Sequence, residues 1–375
     1  MRVETFTSAR PRWSAGVLPE FDDADLVLVF AAPASMDAPA PFEDIRRAYP
    51  NAQVAGCSTS GEIAGASILD DSISGAVVAF DDARVAVATT HVTSQADSYA
   101  AGARLAQELT QSDLKGVFVL SDGLSVNGSE LVRGLNSVLS PEVVVTGGLA
   151  GDGDRFQRTW VLEHGLPASG VVSAVGVYGE RVKLGHGSRG GWDLFGPERR
   201  VTRSESNKVY ELDGKPALEL YKAYLGDLAA ELPASAFLFP LSLRLNASDE
   251  KRLIRTVLGI DEAEQSLTFA GDIPTGSLVQ LTRGNFDRLI DGASDAAAIA
   301  AEPLRGPSLS IAVSCVGRRL VLGERTEEEL EAALDLLPEG TKQVGFYSYG
   351  EISPFGTGYC DLHNQTMTLT TFGES

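Results

Sequence analysis

The octet GCSTSGEI, Gly56 to Ile63, returns near the far end of the chain as GFYSYGEI, Gly345 to Ile352. The leading Gly, the closing Gly-Glu-Ile and one hydroxyl residue, Thr59 or Ser348, stay in register. The flanks repeat as well. Before the first octet stand the apolar run DLVLVFAAPAS, the helix-like PFEDIRRAY and a short AQVAG; before the second stand LSIAVSCVG, TEEELEAALDLL and KQVGF. The alternating or apolar segments SISGAVVAF and CDLHNQTMTLTTF follow, and each reads as one strand. Both regions therefore spell strand, helix, strand, turn, strand, which predicts an α/β protein built from repeated units.

A third copy is expected in the middle of the chain, where KGVFVLSDG, GSELVRGLNSVL and EVVVTGG lead into GLAGDG, with Gly151-Asp152 in place of Gly-Glu. A weaker fourth is FAGDIP, with Gly271-Asp272 after the strand-like QSLTF. Glycine accepts a positive φ without a Cβ clash, and an acid just after it can accept hydrogen bonds from nearby backbone N–H groups. Glu62, Asp152, Asp272 and Glu351 are thus read either as local turn residues or as acids pointed into a pseudo-symmetric cleft between copies. Repetition alone does not choose.

A chain of 375 residues exceeds one ordinary core, and two α/β domains are expected, residues 25–210 and 211–375, paired around a shared cleft. No apolar run approaches the roughly 20 residues of a membrane span. The N-terminal MRVETFTSARPRWSAGVLPEFDD has no apolar core of signal-peptide length, so a cytoplasmic location is expected. Cys57, Cys315 and Cys360 lie far apart with no CxxC pair, which supports neither a disulfide framework nor a cysteine-rich zinc site. With 31 basic against 51 acidic residues the formal charge is −20, which disfavours nucleic acid and anionic membrane surfaces as partners. The short basic run GPERRVTR does not offset this.

The segment GGWDLFGPERRVTRSESNKVYELDGKPALELYKAYLG combines a strand, an Asp213-Gly214 turn, Pro216 and a helix striped by Ala217, Leu220, Tyr221 and Tyr224 that ends at Gly226. Together with GCSTSGEI, GGLAGD and the terminal GEISPFG…LHNQTMTLT, it resembles the FIST family in its paired FIST N and FIST C arrangement. The resemblance runs from about residue 25 to the end. It implies a non-enzymatic sensory module of intracellular signal transduction that binds a small ligand, an amino acid or another small organic molecule. The signal is expected to pass to a separate partner such as a histidine kinase or a cyclic-dinucleotide enzyme.

One bacterial branch of stand-alone members binds haem and senses nitric oxide, so the four histidines matter. His91 and His164 sit at strand or loop ends and read as surface residues. His186, in LGHGSRGGWDLFG, has an open glycine-rich backbone, with Trp192 and Phe195 as candidate apolar walls for a flat ring. His363 alternates with Gln365, Met367 and Leu369 on one strand face and is expected to point inward. His186 and His363 are the candidate iron ligands. Cys57, Glu62, Asp152, Glu351 and Asn364 form the candidate ligand-binding set. Two other classes stay open: an enzyme with Cys57 as nucleophile, disfavoured because Phe346 takes its place in the second copy, and a protein-interaction scaffold. GGLAGDGD lacks the following lysine and helix of a phosphate cradle, and Asp152 with Asp154 lacks the rest of a calcium loop.

Overall fold

Three units share one wiring, and the repeated turn is where they are joined. The computed structural model describes residues 1–9, 13–232, 234–249, 252–354 and 358–374, so Phe355 and Gly356 of the terminal motif lie outside it. In the first unit β1 (Leu26–Ala31), α1 (Ala40–Ala48) and β2 (Gln53–Ser58) are followed by a hairpin, β3 (Glu62–Ala64) and β4 (Ser67–Leu69), and by β5 (Ser72–Ala79). The second unit has β6 (Leu114–Ser121), α2 (Gly128–Asn136), β7 (Val144–Leu149), the hairpin β8 (Val161–Glu163) and β9 (Leu166–Ala168), and β10 (Val171–Tyr178). The third has β11 (Leu309–Cys315), α3 (Val316–Leu322), α4 (Thr326–Leu334), β12 (Lys342–Ser348), the hairpin β13 (Gly350–Pro354) and β14 (Cys360–His363), and β15 (Met367–Glu374).

In each unit the first two strands pair in parallel and the last lies antiparallel to the first. The hairpins leave home. β3–β4 joins the third unit's β12, β13–β14 joins β7 of the second, and β8 joins β2 of the first. Three six-stranded mixed sheets result, each completed by another unit's hairpin and edged by a preceding strand, Arg2–Ala9, Arg84–His91 or Val182–Arg189. The first strands of the first and third units are buried along their whole length because both faces of a parallel pair are covered. Phe30, Cys57, Phe118, Leu120, Val313 and Phe346 from all three sheets meet in one core, with the Phe30 and Phe346 rings stacked at 4.9 Å.

Two backbone details recur with the wiring. A Cβ added at Gly56, Gly147 or Gly345 would stand 2.1, 1.9 or 1.8 Å from the carbonyl oxygen of Val29, Val119 or Ala312 on the neighbouring parallel strand. Only glycine fits there. A left-handed residue precedes each unit's last strand, directly at Asp71 (φ 47°) and Gly170 (69°) and two residues ahead at Gln365 (63°). That kink splits CDLHNQTMTLTTF, expected as one strand, into β14 and β15.

Between the third unit's edge strand and the helix Phe286–Ala301 the chain inserts an antiparallel layer, Trp192–Glu205 to Leu278–Gly284, with its own apolar core. The expected Asp213-Gly214 turn is present at φ 50° and 74°, and the helix Ala217–Leu225 buries Ala217 and Tyr221, with Leu220 and Tyr224 half-buried. FAGDIP belongs to this layer rather than to a fourth β-α-β unit. The boundary expected at 210–211 falls inside the strand Lys208–Leu212, and hairpins from either side of it complete sheets on the other.

Candidate functional site

Glu62 and Glu351 repeat down to their hydrogen bonds. Both are about 1% exposed or less. Glu62 accepts from the Thr59 hydroxyl on one oxygen and from the Ser72 N–H (3.0 Å) and hydroxyl (2.6 Å) on the other. Glu351 accepts from Ser348 Oγ (2.6 Å), Thr366 N (3.1 Å) and Thr366 Oγ1 (2.9 Å). Burial pushes each carboxyl up to about 7, against the lowering effect of those donors. With every oxygen engaged by its own unit, these acids lock the exchanged hairpins to their home strands.

Asp152 departs from the pattern. Its carboxylate caps a loop, accepting from the backbone N–H groups of Phe156 (2.9 Å), Gln157 (2.8 Å) and Arg158 (2.8 Å) and from the Tyr349 hydroxyl. Register places Val161, opposite Cys57, where Glu62 and Glu351 stand opposite Phe346 and Gly148. The second unit thus replaces its buried acid with an excursion of the chain. Cys57 is fully buried in the central core, and that burial raises its thiol well above the ordinary range. Its side chain packs in the core between the sheets rather than facing a solvent-open recess. Asn364 is also fully buried, and neither side-chain amide atom has a hydrogen-bond partner among the described residues.

A cavity of about 180 Å³ opens instead where the parallel strands β6, β7 and β11 end, under the inserted layer. Gly123 follows β6, Leu149 ends β7 and Cys315 ends β11, while Asn127 and Gly128 begin α2. The carboxyl ends of parallel strands are where open α/β sheets take ligands, because their loops diverge there. The inserted layer contributes Thr256, Phe269 and Asp272, and the loop and turn contribute Phe156 and Tyr349, whose rings stack at 4.6 Å. Asn127 Nδ2 donates to Asp272 Oδ1 at 3.2 Å, and desolvation raises the Asp272 carboxyl. Thr256 Oγ1 is buried without a partner among the described residues.

The FIST N domain model matches residues 25–215 and the FIST C domain model residues 217–354. The chain belongs to the FIST family. FIST domains are sensor domains of signal transduction. An uncharacterized protein of Methanocaldococcus jannaschii is 25% identical over 352 residues, covering 83% of this chain and 66% of that relative, so this FIST chain spans just under two thirds of its length. A crystal structure of cyanuric acid hydrolase from A. caulinodans aligns over 99% of this chain and 98% of that one at a TM-score of 0.36 and 8% identity.

The histidines expected for iron fall together in the FIST chain. His186 and His363 line one recess of about 580 Å³ with Arg189, Arg252, Ile254 and Ile299. His186 is half-buried and burial lowers its pKa; His363 is 6% exposed with Nε2 3.2 Å from the Ser353 carbonyl. The expected aromatic walls are elsewhere. Trp192 donates to the Gln365 carbonyl at 2.9 Å and packs near Leu289 and Val321, because its strand turns away into the inserted layer. Phe195 is exposed further along that strand. His91 pairs with Glu163 at 2.8 Å on the surface, and His164 sits at φ 50° in the β8–β9 turn. Among the described residues no group of three or more His, Cys, Asp or Glu gathers as a metal site. No described helix is long and apolar enough to cross a membrane.

Sequence reasoning reached Asp272 only as the weakest glycine-acid turn and missed Asn127, Thr256, Phe269 and Cys315 as cavity residues. Tyr349 lay in the repeated octet itself. Thr256 carries no local signal, since its role depends on which strand ends it covers.

Proposed function

We propose that this FIST chain is a non-enzymatic sensor that holds a small organic ligand in the cavity beneath the inserted layer and passes its occupancy to a separate signalling protein, such as a histidine kinase, in the cytoplasm. The observation that carries the reading is the cavity's place at the carboxyl ends of β6, β7 and β11, roofed by a second layer. A ligand there touches two repeat units and the insert at once. Its binding energy can therefore bias how the layer sits on the units, which is what a sensor needs. The three like-wired units are read as a pseudo-symmetric repeat whose second and third members supply this site. The enzyme alternative loses its nucleophile with the burial of Cys57.

A small-molecule thermal-shift screen on the full chain tests the sensor reading, since a ligand bound only by the folded state raises Tm with concentration. At least one saturable shift is expected, abolished by Ala270→Trp, which fills the cavity from a half-buried wall. Hits that survive Ala270→Trp would move the site elsewhere.

Haem is a second reading because His186 and His363, far apart in sequence, line one recess, with Arg189 and Arg252 suited to porphyrin carboxylates. Trp192 and Phe195 give that recess no aromatic wall. Bound iron would supply a site for nitric oxide, and His186 is the residue placed to hold it. Haem titrated into the full chain should give a saturable Soret band that weakens in His186→Ala and persists in a folded Trp192→Leu. A wild type without a saturable band removes the reading.

A further inference from the structure

Among its described lining residues the cavity beneath the inserted layer has one carboxylate and no opposing cation. Among its described lining residues are Asp272, Asn127, Thr256 and the rings of Phe156, Phe269 and Tyr349, but no lysine, arginine or histidine. An amino acid or a carboxylate would bring a negative group into this recess with nothing basic in its wall to meet it. The buried Arg255 does not serve, because its Nε donates to the Asp272 carbonyl at 3.2 Å and its Nη1 to the Leu362 carbonyl at 2.8 Å. We propose that the ligand is a small primary amine with an apolar or aromatic body, its ammonium hydrogen-bonded to Asp272 and its body against the aromatic walls.

Three observations converge on that class, and the inference rests on the cavity being the sensor's site. Asp272 Oδ1 already accepts from Asn127, while Oδ2 takes no hydrogen bond among the described residues and can receive an ammonium N–H. Thr256, 3% exposed, lines the same cavity with its hydroxyl unpartnered among the described residues, a second polar contact open to a ligand. The stacked Phe156 and Tyr349 rings offer π-faces, which attract a cationic or aromatic guest. Desolvation disfavours the Asp272 carboxylate in the unliganded cavity, and a bound cation relieves that cost.

The test uses the full chain and three matched series: 2-phenylethylamine and simple alkylamines, the corresponding α-amino acids, and the corresponding carboxylates, each read by thermal shift and calorimetry. Amines should bind saturably, and the other two series should not. Asp272→Asn, which keeps the size and an acceptor for Asn127, should weaken amine binding by about 10- to 100-fold, as for loss of a charge-assisted hydrogen bond. Thr256→Val keeps the shape and should weaken it by less. It serves as the second variant should Asp272→Asn perturb α2, which circular dichroism would reveal. Amino acids or carboxylates that bind as well as the amines overturn the inference and keep the cavity reading. Amine binding unchanged in both variants also overturns it. No shift from any series, with hits elsewhere that ignore Ala270→Trp, overturns the inference and the cavity reading together.

Discussion

Replacing Arg318 by Met should lower the stability of the folded chain by about 3–5 kcal/mol, read as a shift in the urea midpoint at constant slope. Arg318 and Glu329 are both fully buried and lie 2.7 Å apart, one in α3 and the other in α4. The guanidinium donates through Nε and Nη2 to Glu329 Oε2, through Nη2 to the Leu289 carbonyl at 2.7 Å, and through Nη1 to the Gly190 carbonyl. Ser314 Oγ (2.9 Å) and Tyr347 Oη (2.8 Å) donate to the other carboxylate oxygen. Removing the arginine alone strands a carboxylate in the interior with hydroxyl partners only. The double variant Arg318→Met/Glu329→Gln should recover about 1–3 kcal/mol of that loss, because the amide still accepts from Ser314 and Tyr347 without a charge. A double variant no more stable than Arg318→Met would show that the charges are not coupled.

The second large effect concerns pH. Glu62 and Glu351 each have a folded-state pKa raised to about 7, above the ordinary value of 4.5. Over pH 4.5 to 7 the folded chain therefore holds more protons at these sites than the unfolded chain, and stability falls as pH rises. The contribution of each site is fully present below the unfolded pKa and is lost as pH passes through about 7, a change of roughly 3 kcal/mol at most. Glu351→Gln and Glu62→Gln should match the wild type near pH 5 and exceed it at pH 8. Each Gln can keep the Thr366 or Ser72 donors on its carbonyl and turn its NH₂ toward the Ser348 or Thr59 hydroxyl. Thermal unfolding from pH 5 to 9 checks this, and the difference between variant and wild type separates these groups from the histidines. Variants that run parallel to the wild type at every pH would mean the glutamates are not the titrating groups.

The repeated octets carried the local structure of this protein unaided. Alternation and helical spacing are read within a dozen residues, so β1, α1 and β2 and their counterparts around Gly147 and Gly345 were legible as strand, helix and strand. Glycine before an acid marked the turns, although of Gly61, Gly151, Gly271 and Gly350 only Gly61 has a positive φ, at 133°. What the pattern could not carry was the destination of each hairpin. The strand Glu62–Ala64 satisfies its backbone equally well on any free parallel edge, and it pairs with β12 only because three units close on one another. The same non-locality hid the candidate site. Cys57 and Glu351 looked functional because they sit in the repeated turns, yet the closing of the sheets buries them and saturates the glutamate. Asp272 stood out only as the weakest of the glycine-acid turns and Thr256 not at all, and with Cys315 they come to line one cavity only when the inserted layer settles over the strand ends of two units. Local spelling thus determined which segments became strands and turns, while the long-range packing of apolar faces decided which polar groups were left for a ligand.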